Sequence, residues 1–416
     1  MANEIKTIKY LYVDDNDKGK ESVEGFLKKD KAVEKSPTDV IEPKEDLVLS
    51  IKVIKPTEKR KDIFKMLTDY DGLMVDQQLD EKPNSEGNVS DYLGSSLASD
   101  VRVVENGIYQ AKKEDISMPI ILFSANPNVP STLYSLGEEI FDLKIYKIMG
   151  MGKYHDFDRD TPMYKSQMLS LVNGYKGLKD LKAKEQEFKK QNPEEQEPNL
   201  PFIYKSLKFD DNLNLIDSRF LNELKRRDAF TAHSKASFIL NELIIKQGIL
   251  IDEDILAVRL GIDKEKSQEG WRKVLNELKD FGAKYQGVFC EGWPRWWMPM
   301  VEKWWSESMQ EESYLQFLSA SERVAIISKK LEVHLEIAVA ESKFSDNDDY
   351  WTVCDFTKEP LAIENGLMLP GQDGLYPWQD AKYISIMSAI DESLDVVDFE
   401  KERLAYYKKL LKQSKK

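Results

Sequence analysis

Five short apolar segments recur over the first 150 residues, separated by polar or amphipathic stretches. They cover residues 5–13, 47–54, 72–75, 118–123 and 143–148. Their length and β-branched content are typical of buried strands. Amphipathic stretches between them predict helices over 57–68, 91–110 and 131–140, and the charged stretch before residue 47 predicts a solvated insertion. Alternating strands and helices predict an α/β domain with a parallel sheet covered on both faces.

The pattern changes after the last of these strands. Residues 162–191 have the period of a long, charged helix, and the Pro- and Glu-rich stretch 192–201 is typical of a linker. Beyond it we predict helices over 218–227, 234–247, 252–260, 267–281, 319–342 and 399–412, a strand over 284–290, and turns with short strands over 350–383. The predicted organisation is therefore a domain over 1–155, a helical linker over 156–201 and a mostly α-helical region with a few short strands over 202–416.

Composition and charge narrow the classes of function. The chain has 60 Lys and Arg against 74 Asp and Glu, a net charge of −14, which disfavours a protein whose main task is to coat nucleic acid. Two cysteines and three histidines leave little material for a disulfide framework or a His/Cys metal site. No apolar stretch approaches the ~20 residues of a membrane helix, and no signal-peptide core is visible. We therefore expect a cytoplasmic protein with no membrane partner.

Polar side chains follow four of the five predicted strands. These are Asp14 and Asp15 after the first, Asp76 after the third, Ser124 after the fourth and Lys147 at the end of the fifth. In an open parallel sheet, functional groups gather at the carboxyl ends of the strands. Clustered carboxylates suit Mg²⁺, and a carboxylate beside the ion can attack phosphorus to give an aspartyl phosphate. A hydroxyl and an ammonium would then bind the phosphoryl oxygens.

This constellation resembles the receiver domain of bacterial two-component response regulators, over about residues 5–150. The segments that carry the resemblance are IKYLYVDDND, YDGLMVDQQLDE, MPIILFSANP and DLKIYKIMG. It implies a flavodoxin-like, doubly wound domain of five parallel strands. It also implies that Asp14 and Asp15 hold Mg²⁺, that Asp76 is the phosphoacceptor and a metal ligand, and that Gln78 offers its backbone carbonyl to the metal.

The resemblance further implies that Ser124 is the switch hydroxyl and Lys147 the phosphate-contacting lysine. Receivers usually have a proline after this lysine and an aromatic residue three positions before it, where this chain has Ile148 and Lys144. If Lys144 were the functional lysine, Phe141 would take the aromatic position. We favour Lys147 because it ends the apolar strand. The segments on either side of the phosphoacceptor are longer than in compact receivers.

The implied function is phosphorylation-dependent signalling, with a histidine kinase or kinase-like ATPase as the phosphoryl donor. No enzyme is expected in the rest of the chain, which carries no Walker loop, no G-x-S-x-G elbow and no H-E-x-x-H motif. The expanded receiver is also similar to receiver-like proteins of prokaryotic stress and anti-phage conflict systems. The resemblance does not extend to the C-terminal region.

The C-terminal region is unusual in its tryptophans. All eight lie after residue 270, and five fall within residues 291–305, EGWPRWWMPMVEKWW. Because Trp and Arg dominate binding hot spots, this stretch predicts a partner surface that includes Trp293, Arg295, Trp296 and Trp297. The alternative is that the rings pack inward as a core.

A DNA-binding transcriptional regulator is the alternative function. In this interpretation the helices over 252–260 and 267–281, with a turn at Gly261, form a winged-helix-like segment near 252–289. Residues 202–300 hold 16 basic and 15 acidic side chains, so any DNA-binding surface would be local. A protein partner is therefore favoured over DNA, and homodimer formation is left open.

Overall fold

The computed structural model describes residues 6–16, 19–28, 47–56, 60–80, 87, 89–124, 139–146, 157–192, 201–340, 344 and 347–414. The chain forms two compact units. Unit 1 comprises residues 1–214, 218–241 and 286–293, and unit 2 comprises residues 215–217, 242–285 and 294–416. The segment 156–201, predicted as a helical linker, falls within unit 1, and the predicted division into domains stays a prediction.

Unit 1 is built on a five-stranded parallel sheet. The strands are β1 (Lys6–Val13), β2 (Leu47–Ile54), β3 (Gly72–Val75), β4 (Ile120–Ser124) and β5 (Leu143–Tyr146). They lie in the order β2-β1-β3-β4-β5, and every neighbouring pair is parallel. This is the flavodoxin-like order, with the switch point between β1 and β3. The predicted receiver-like fold is therefore confirmed.

Helices cover both faces of the sheet. They are α1 (Gly19–Lys28), α2 (Arg60–Met66), α3 (Gly94–Lys112) and α4 (Phe157–Gln191). Helix α1 was not predicted from the sequence, because it lies in the stretch interpreted as a solvated insertion. Its buried apolar side chains are only Val23 and Phe26, too few to produce a clear period. Most of the helix predicted over 131–140 falls outside the described residues.

Strand residues alternate between two cores. Leu11, Leu73 and Leu122 share one core with side chains of α2 and α3. On the opposite face, the Phe123 ring contacts the Phe26 ring of α1 edge-on, with centroids 5.6 Å apart. The alternation follows from the two-residue period of a strand, and a strand buried on both faces has no polar side.

A buried polar network holds α4 to the sheet. The carboxylate of Asp142, the residue before β5, accepts hydrogen bonds from Arg102 of α3 and from Tyr175 of α4, each at 2.7 Å. Arg102 also pairs with Glu105 at 2.9 Å. Burial alone would raise the pKa of Asp142, but Arg102 and His233 outweigh it and lower that pKa. The carboxylate therefore stays charged in the interior, where only a paired charge is tolerated.

Two shorter helices, α5 (Ser218–Arg227) and α6 (Ala232–Ile239), also belong to unit 1. Unit 2 contains α7 (Glu253–Arg259), α8 (Gln268–Asp280), α9 (Met298–Glu307), α10 (Ala320–Leu331), α11 (Ile386–Asp391) and α12 (Lys401–Ser414). Three antiparallel pairs of short strands accompany them: β6 (Leu250–Ile251) with β7 (Trp296–Trp297), β8 (Thr352–Val353) with β9 (Pro360–Leu361), and β10 (Gly366–Met368) with β11 (Tyr383–Ser385). The mostly helical C-terminal region is as predicted. None of the described helices has the length and apolar content needed to cross a membrane.

Two elements of unit 2 differ from the prediction. The helix predicted over 319–342 ends at Leu331, where Glu332 turns left-handed with φ of 52°. The chain then runs extended, and Ile337 forms an antiparallel bridge with Ile262. Apolar residues alternate with others over 333–339, a two-residue period that indicates extended chain. The strand predicted over 284–290 is reduced to one bridge at Lys284.

Candidate functional site

The strand register brings the predicted acids to one edge of the sheet. Val13 pairs with Val75, so Asp14 and Asp76 occupy the next positions on adjacent strands. The backbone N–H of Asp76 donates a hydrogen bond to the Val13 carbonyl at 3.0 Å. Ser124 is the last residue of β4, which lies beside β3, and it is buried.

Tyr12, which was not predicted as a site residue, contacts one of these acids. The Tyr12 hydroxyl donates a hydrogen bond to Oδ2 of Asp14 at 2.8 Å and lies 3.3 Å from the carbonyl oxygen of Phe123. Burial raises the pKa of Tyr12 well above its usual value, and the charges of Asp14, Asp76 and Asp15 raise it further. Three carboxylates therefore act on one buried hydroxyl, which stays protonated. Its position two residues before Asp14, on the same strand face, is the sequence signal for this contact.

Both adjacent acids of the first strand are buried. Asp14 is 2% exposed and Asp15 is 4% exposed. Oδ1 of Asp14 accepts the N–H of Asn16 at 2.8 Å. The ammonium of Lys55 donates to the backbone carbonyl of Asp15 at 2.6 Å. Lys55 directly follows β2, so it reaches the same edge, a position that the sequence analysis did not consider.

The start of α3 packs against the predicted phosphoacceptor. Asp76 is half-buried, and its Oδ1 accepts the N–H of Gln77 at 2.7 Å. The N–H of Gly94 donates to the Gln77 carbonyl at 3.0 Å. A Cβ at position 94 would overlap the carbonyl oxygen of Asp76 and lie 2.9 Å from its carbonyl carbon, so this approach requires glycine. Gln78, whose carbonyl is the predicted metal ligand, follows on the same loop and is half-buried.

The two candidate lysines occupy different positions. Lys147 lies outside the described residues. Tyr146 pairs with Ser124 in the β4–β5 register, so Lys147 follows the last registered position of the sheet. Lys144 pairs with Leu122, inside the strand and short of the carboxyl edge. The register thus sets Lys144 back from that edge, and the choice of Lys147 stays a prediction.

The donor set suits a hard cation. All predicted ligands are oxygens, from Asp14, Asp15 and Asp76 and the backbone of Gln78, and hard cations such as Mg²⁺ prefer oxygen ligands. Over the described ranges, no three Asp, Glu, His or Cys side chains are arranged as a ready-made metal cluster. Mg²⁺ usually takes only one or two carboxylates and keeps several waters, so a pair of acids is enough to fit it. Asp14 and Asp15 are the residues that would hold the ion.

The tryptophan-rich stretch is buried. Exposure is 7% or less for Trp271, Trp293, Trp296, Trp297, Trp304, Trp305 and Trp378. Arg295 donates to the carbonyls of Ile244 and Pro294 at 2.8 and 2.9 Å. The rings therefore pack as core, which was the alternative interpretation. Partner binding by Trp293, Arg295, Trp296 and Trp297 stays a prediction and would require these rings to become uncovered.

The predicted winged-helix-like segment has a partial counterpart in unit 2. The elements β6, α7, α8 and β7 follow in order, and Trp296 of β7 bridges to Lys284 on the side away from β6. The Trp271 ring N–H of α8 donates to Glu253 of α7 at 2.8 Å. The exposed charges of α8 balance, since they are Arg272, Lys273 and Lys279 against Glu269, Glu277 and Asp280. A helix that contacts phosphates needs a basic face, which α8 lacks.

No family model and no curated protein matches the chain. A similar solved structure is the signal receiver domain of an HD domain-containing protein from Pseudomonas fluorescens Pf-5. The similarity covers 42% of this chain and 94% of that domain, at 12% identity and a TM-score of 0.24. The fold assignment rests on the strand order and register of unit 1 rather than on this similarity.

Proposed function

We propose that this chain is a response-regulator-like signalling protein that accepts a phosphoryl group on Asp76 with Mg²⁺. Phosphorylation would then alter the binding of a protein partner by the C-terminal region. The observation that supports the proposal is the strand register, which puts Asp14 and Asp76 side by side at one edge of the sheet, where the Tyr12 hydroxyl donates to Asp14. Ser124 ends the neighbouring strand at the same edge.

In the proposed reaction, an oxygen of Asp76 attacks the phosphorus of the donor. The new O–P bond forms as the bond between phosphorus and the donor's leaving group breaks. The Gln77 N–H holds Oδ1 of Asp76 and so orients the carboxylate. Mg²⁺ held by Asp14 and Asp15 would supply positive charge beside the phosphoryl oxygens. Ser124 and Lys147 would bind the transferred group.

The test is incubation of the full chain with Mg²⁺ and acetyl phosphate, followed by intact mass measurement. We expect the mass of one phosphoryl group to be added, and we expect Asp76→Asn to abolish it. Asp80→Asn is the matched control, because Asp80 lies four residues later and is exposed. An unmodified wild-type chain, or an Asp76→Asn variant that still gains the group, would refute the proposed site.

A second test addresses the Tyr12 hydroxyl. Without its hydrogen bond, Asp14 is less well oriented, so Tyr12→Phe should raise the Mg²⁺ concentration for half-maximal phosphorylation about fivefold, the equivalent of ~1 kcal/mol for one hydrogen bond. Tyr10→Phe is the control, since Tyr10 lies on the same face of β1 and its hydroxyl donates to the Met168 carbonyl at 2.8 Å. Equal Mg²⁺ requirements in the two variants would contradict a role for Tyr12.

The expected physiological donor is a histidine kinase or kinase-like ATPase. Acetyl phosphate tests the acceptor without depending on that identity. A role in a prokaryotic stress or anti-phage conflict system stays a prediction drawn from the resemblance.

DNA binding remains the second candidate, favoured by the order β6, α7, α8, β7 and the bridge at Lys284. The neutral exposed face of α8 counts against it. Gel retardation of duplex DNA by the full chain at low salt tests whether the chain binds DNA. If α8 binds DNA, the double substitution Arg272→Glu and Lys273→Glu should remove the retardation. No retardation by the wild-type chain would eliminate this candidate.

A further inference from the structure

Two aromatic rings project from unit 2 into solvent. Tyr314 and Phe317 are each 73% exposed, and they contact each other edge-to-face, with ring centroids 6.0 Å apart and planes at 85°. Single exposed apolar side chains are common on protein surfaces, but a contacting pair of large rings needs an explanation. Such an arrangement offers a large apolar contact area that is already ordered.

The segment that carries these rings is anchored. Leu315, between the two rings, is 3% exposed, and the indole N–H of Trp305 donates to the Ser313 carbonyl at 2.9 Å. The short 3₁₀ turn Leu315–Phe317 begins directly after Tyr314. The rings are therefore carried by a tethered turn, and little backbone freedom remains to be lost on binding.

An acidic cavity lies beside the rings. It has a volume of about 870 Å³, and its lining includes Tyr314, Trp305 and the three acids Glu302, Glu311 and Glu312. Lys303 is its one basic lining residue. Within the described part of the chain, none of the three glutamates forms an ion pair. The cavity is as large as many ligand pockets and carries unbalanced negative charge.

We propose that this aromatic–acidic surface, formed by Tyr314, Phe317 and the cavity, docks a basic, arginine-containing segment of a partner protein. An arginine side chain entering the cavity would meet the glutamates and could lie against the Tyr314 ring, where a cation is attracted to the aromatic face. Aromatic anchors of this kind supply most of the energy in many interfaces. Nucleic acid does not fit, because its phosphates would face the same acids. The inference does not depend on phosphorylation of Asp76.

The test measures binding of an oligoarginine peptide to the full chain at physiological salt, by anisotropy of a label on the peptide. The double substitution Tyr314→Ser and Phe317→Ser should weaken binding about tenfold or more, without a change in net charge. The matched control is Phe399→Ser with Tyr406→Ser, because those rings are 71% and 58% exposed elsewhere in unit 2. The control should bind as the wild-type chain does.

Charge is tested separately. Glu311→Gln with Glu312→Gln should also weaken oligoarginine binding, and an oligoglutamate peptide of the same length should not bind. The proposal is overturned if the wild-type chain fails to bind oligoarginine at millimolar concentration, or if the ring variant binds as tightly as its control. It is equally overturned if duplex DNA binds in place of the peptide. A concentration-dependent dimer in sedimentation that is lost only in the ring variant would identify a second copy as the occupant and would also overturn it.

Discussion

Two glycines of α3 provide a matched pair of substitutions with opposite expected effects. Gly94 begins the helix beside Asp76, the proposed phosphoacceptor, and Gly107 lies on the exposed surface of the helix. A Cβ at position 107 would meet no atom within 4 Å, whereas one at position 94 would overlap the Asp76 carbonyl oxygen. The same Gly→Ala change therefore tests packing at one site and helix propensity at the other.

The magnitudes follow from these surroundings. Gly107→Ala removes backbone freedom from the unfolded chain and should stabilise unit 1 by about 0.5–1 kcal/mol. Gly94→Ala cannot be accommodated in place, because Cβ atoms keep at least 3.0 Å from their neighbours and the obstacle is backbone. Moving the start of α3 or the segment after β3 costs ~1–3 kcal/mol, as overpacking does. The two variants should thus differ by roughly 1.5–4 kcal/mol.

The assay is urea unfolding of both variants, monitored by circular dichroism, with phosphorylation by acetyl phosphate measured in parallel. Gly107→Ala should raise the urea concentration at the midpoint of unfolding of unit 1 and leave the rate of phosphorylation unchanged. Gly94→Ala should lower that midpoint and slow phosphorylation, since the backbone of Asp76 must shift. Equal stabilisation by both substitutions would show that the close approach of Gly94 to Asp76 does not exist.

Three further substitutions test the packing of the chain. Trp297→Ala should destabilise unit 2 by ~3–5 kcal/mol because the ring is 1% exposed, and a cost below 1 kcal/mol in urea unfolding would contradict the core interpretation. Arg323→Lys should cost ~1–3 kcal/mol in the same assay, because one ammonium cannot replace a buried guanidinium that donates to three backbone carbonyls. The lowered pKa of Asp142 means that its paired, charged form stabilises unit 1 above the unfolded-state value of about 3.9, and that this contribution is lost as pH falls through the lower folded-state pKa. Asp142→Asn should therefore flatten the dependence of unfolding free energy on pH below about 4, and an unchanged slope would refute this assignment.

Local sequence patterns sufficed to predict the strands of the sheet and the polar residues that follow them. A buried strand is a run of apolar residues that ends at a polar one, so each strand was found within two residues of its observed limits. Because parallel strands end at one edge, Asp14, Asp76 and Ser124 were expected together, and the register places them there. The short helix α1 was not predicted, because its two buried apolar side chains do not produce a recognisable helical periodicity.

The supporting contacts of the site could not be predicted in the same way. Tyr12 touches the carbonyl of Phe123, 111 residues later, and Lys55 reaches the carbonyl of Asp15 from the end of another strand. Gly94 matters because its helix begins against Asp76. Each of these roles depends on a residue that is distant in sequence. Local sequence patterns do not show which distant residues will be in contact.

The aromatic residues of the C-terminal region show most directly which properties the sequence determines and which depend on the tertiary structure. By itself, the sequence determined where the strands and most helices lie, which acids follow the strands, and that tryptophan is concentrated after residue 270. Only the tertiary structure decided that the ring of Trp297 is covered while those of Tyr314 and Phe317 are exposed. The physical reason is that burial depends on which other elements pack over a side chain, and the chemical type of a residue does not contain that information.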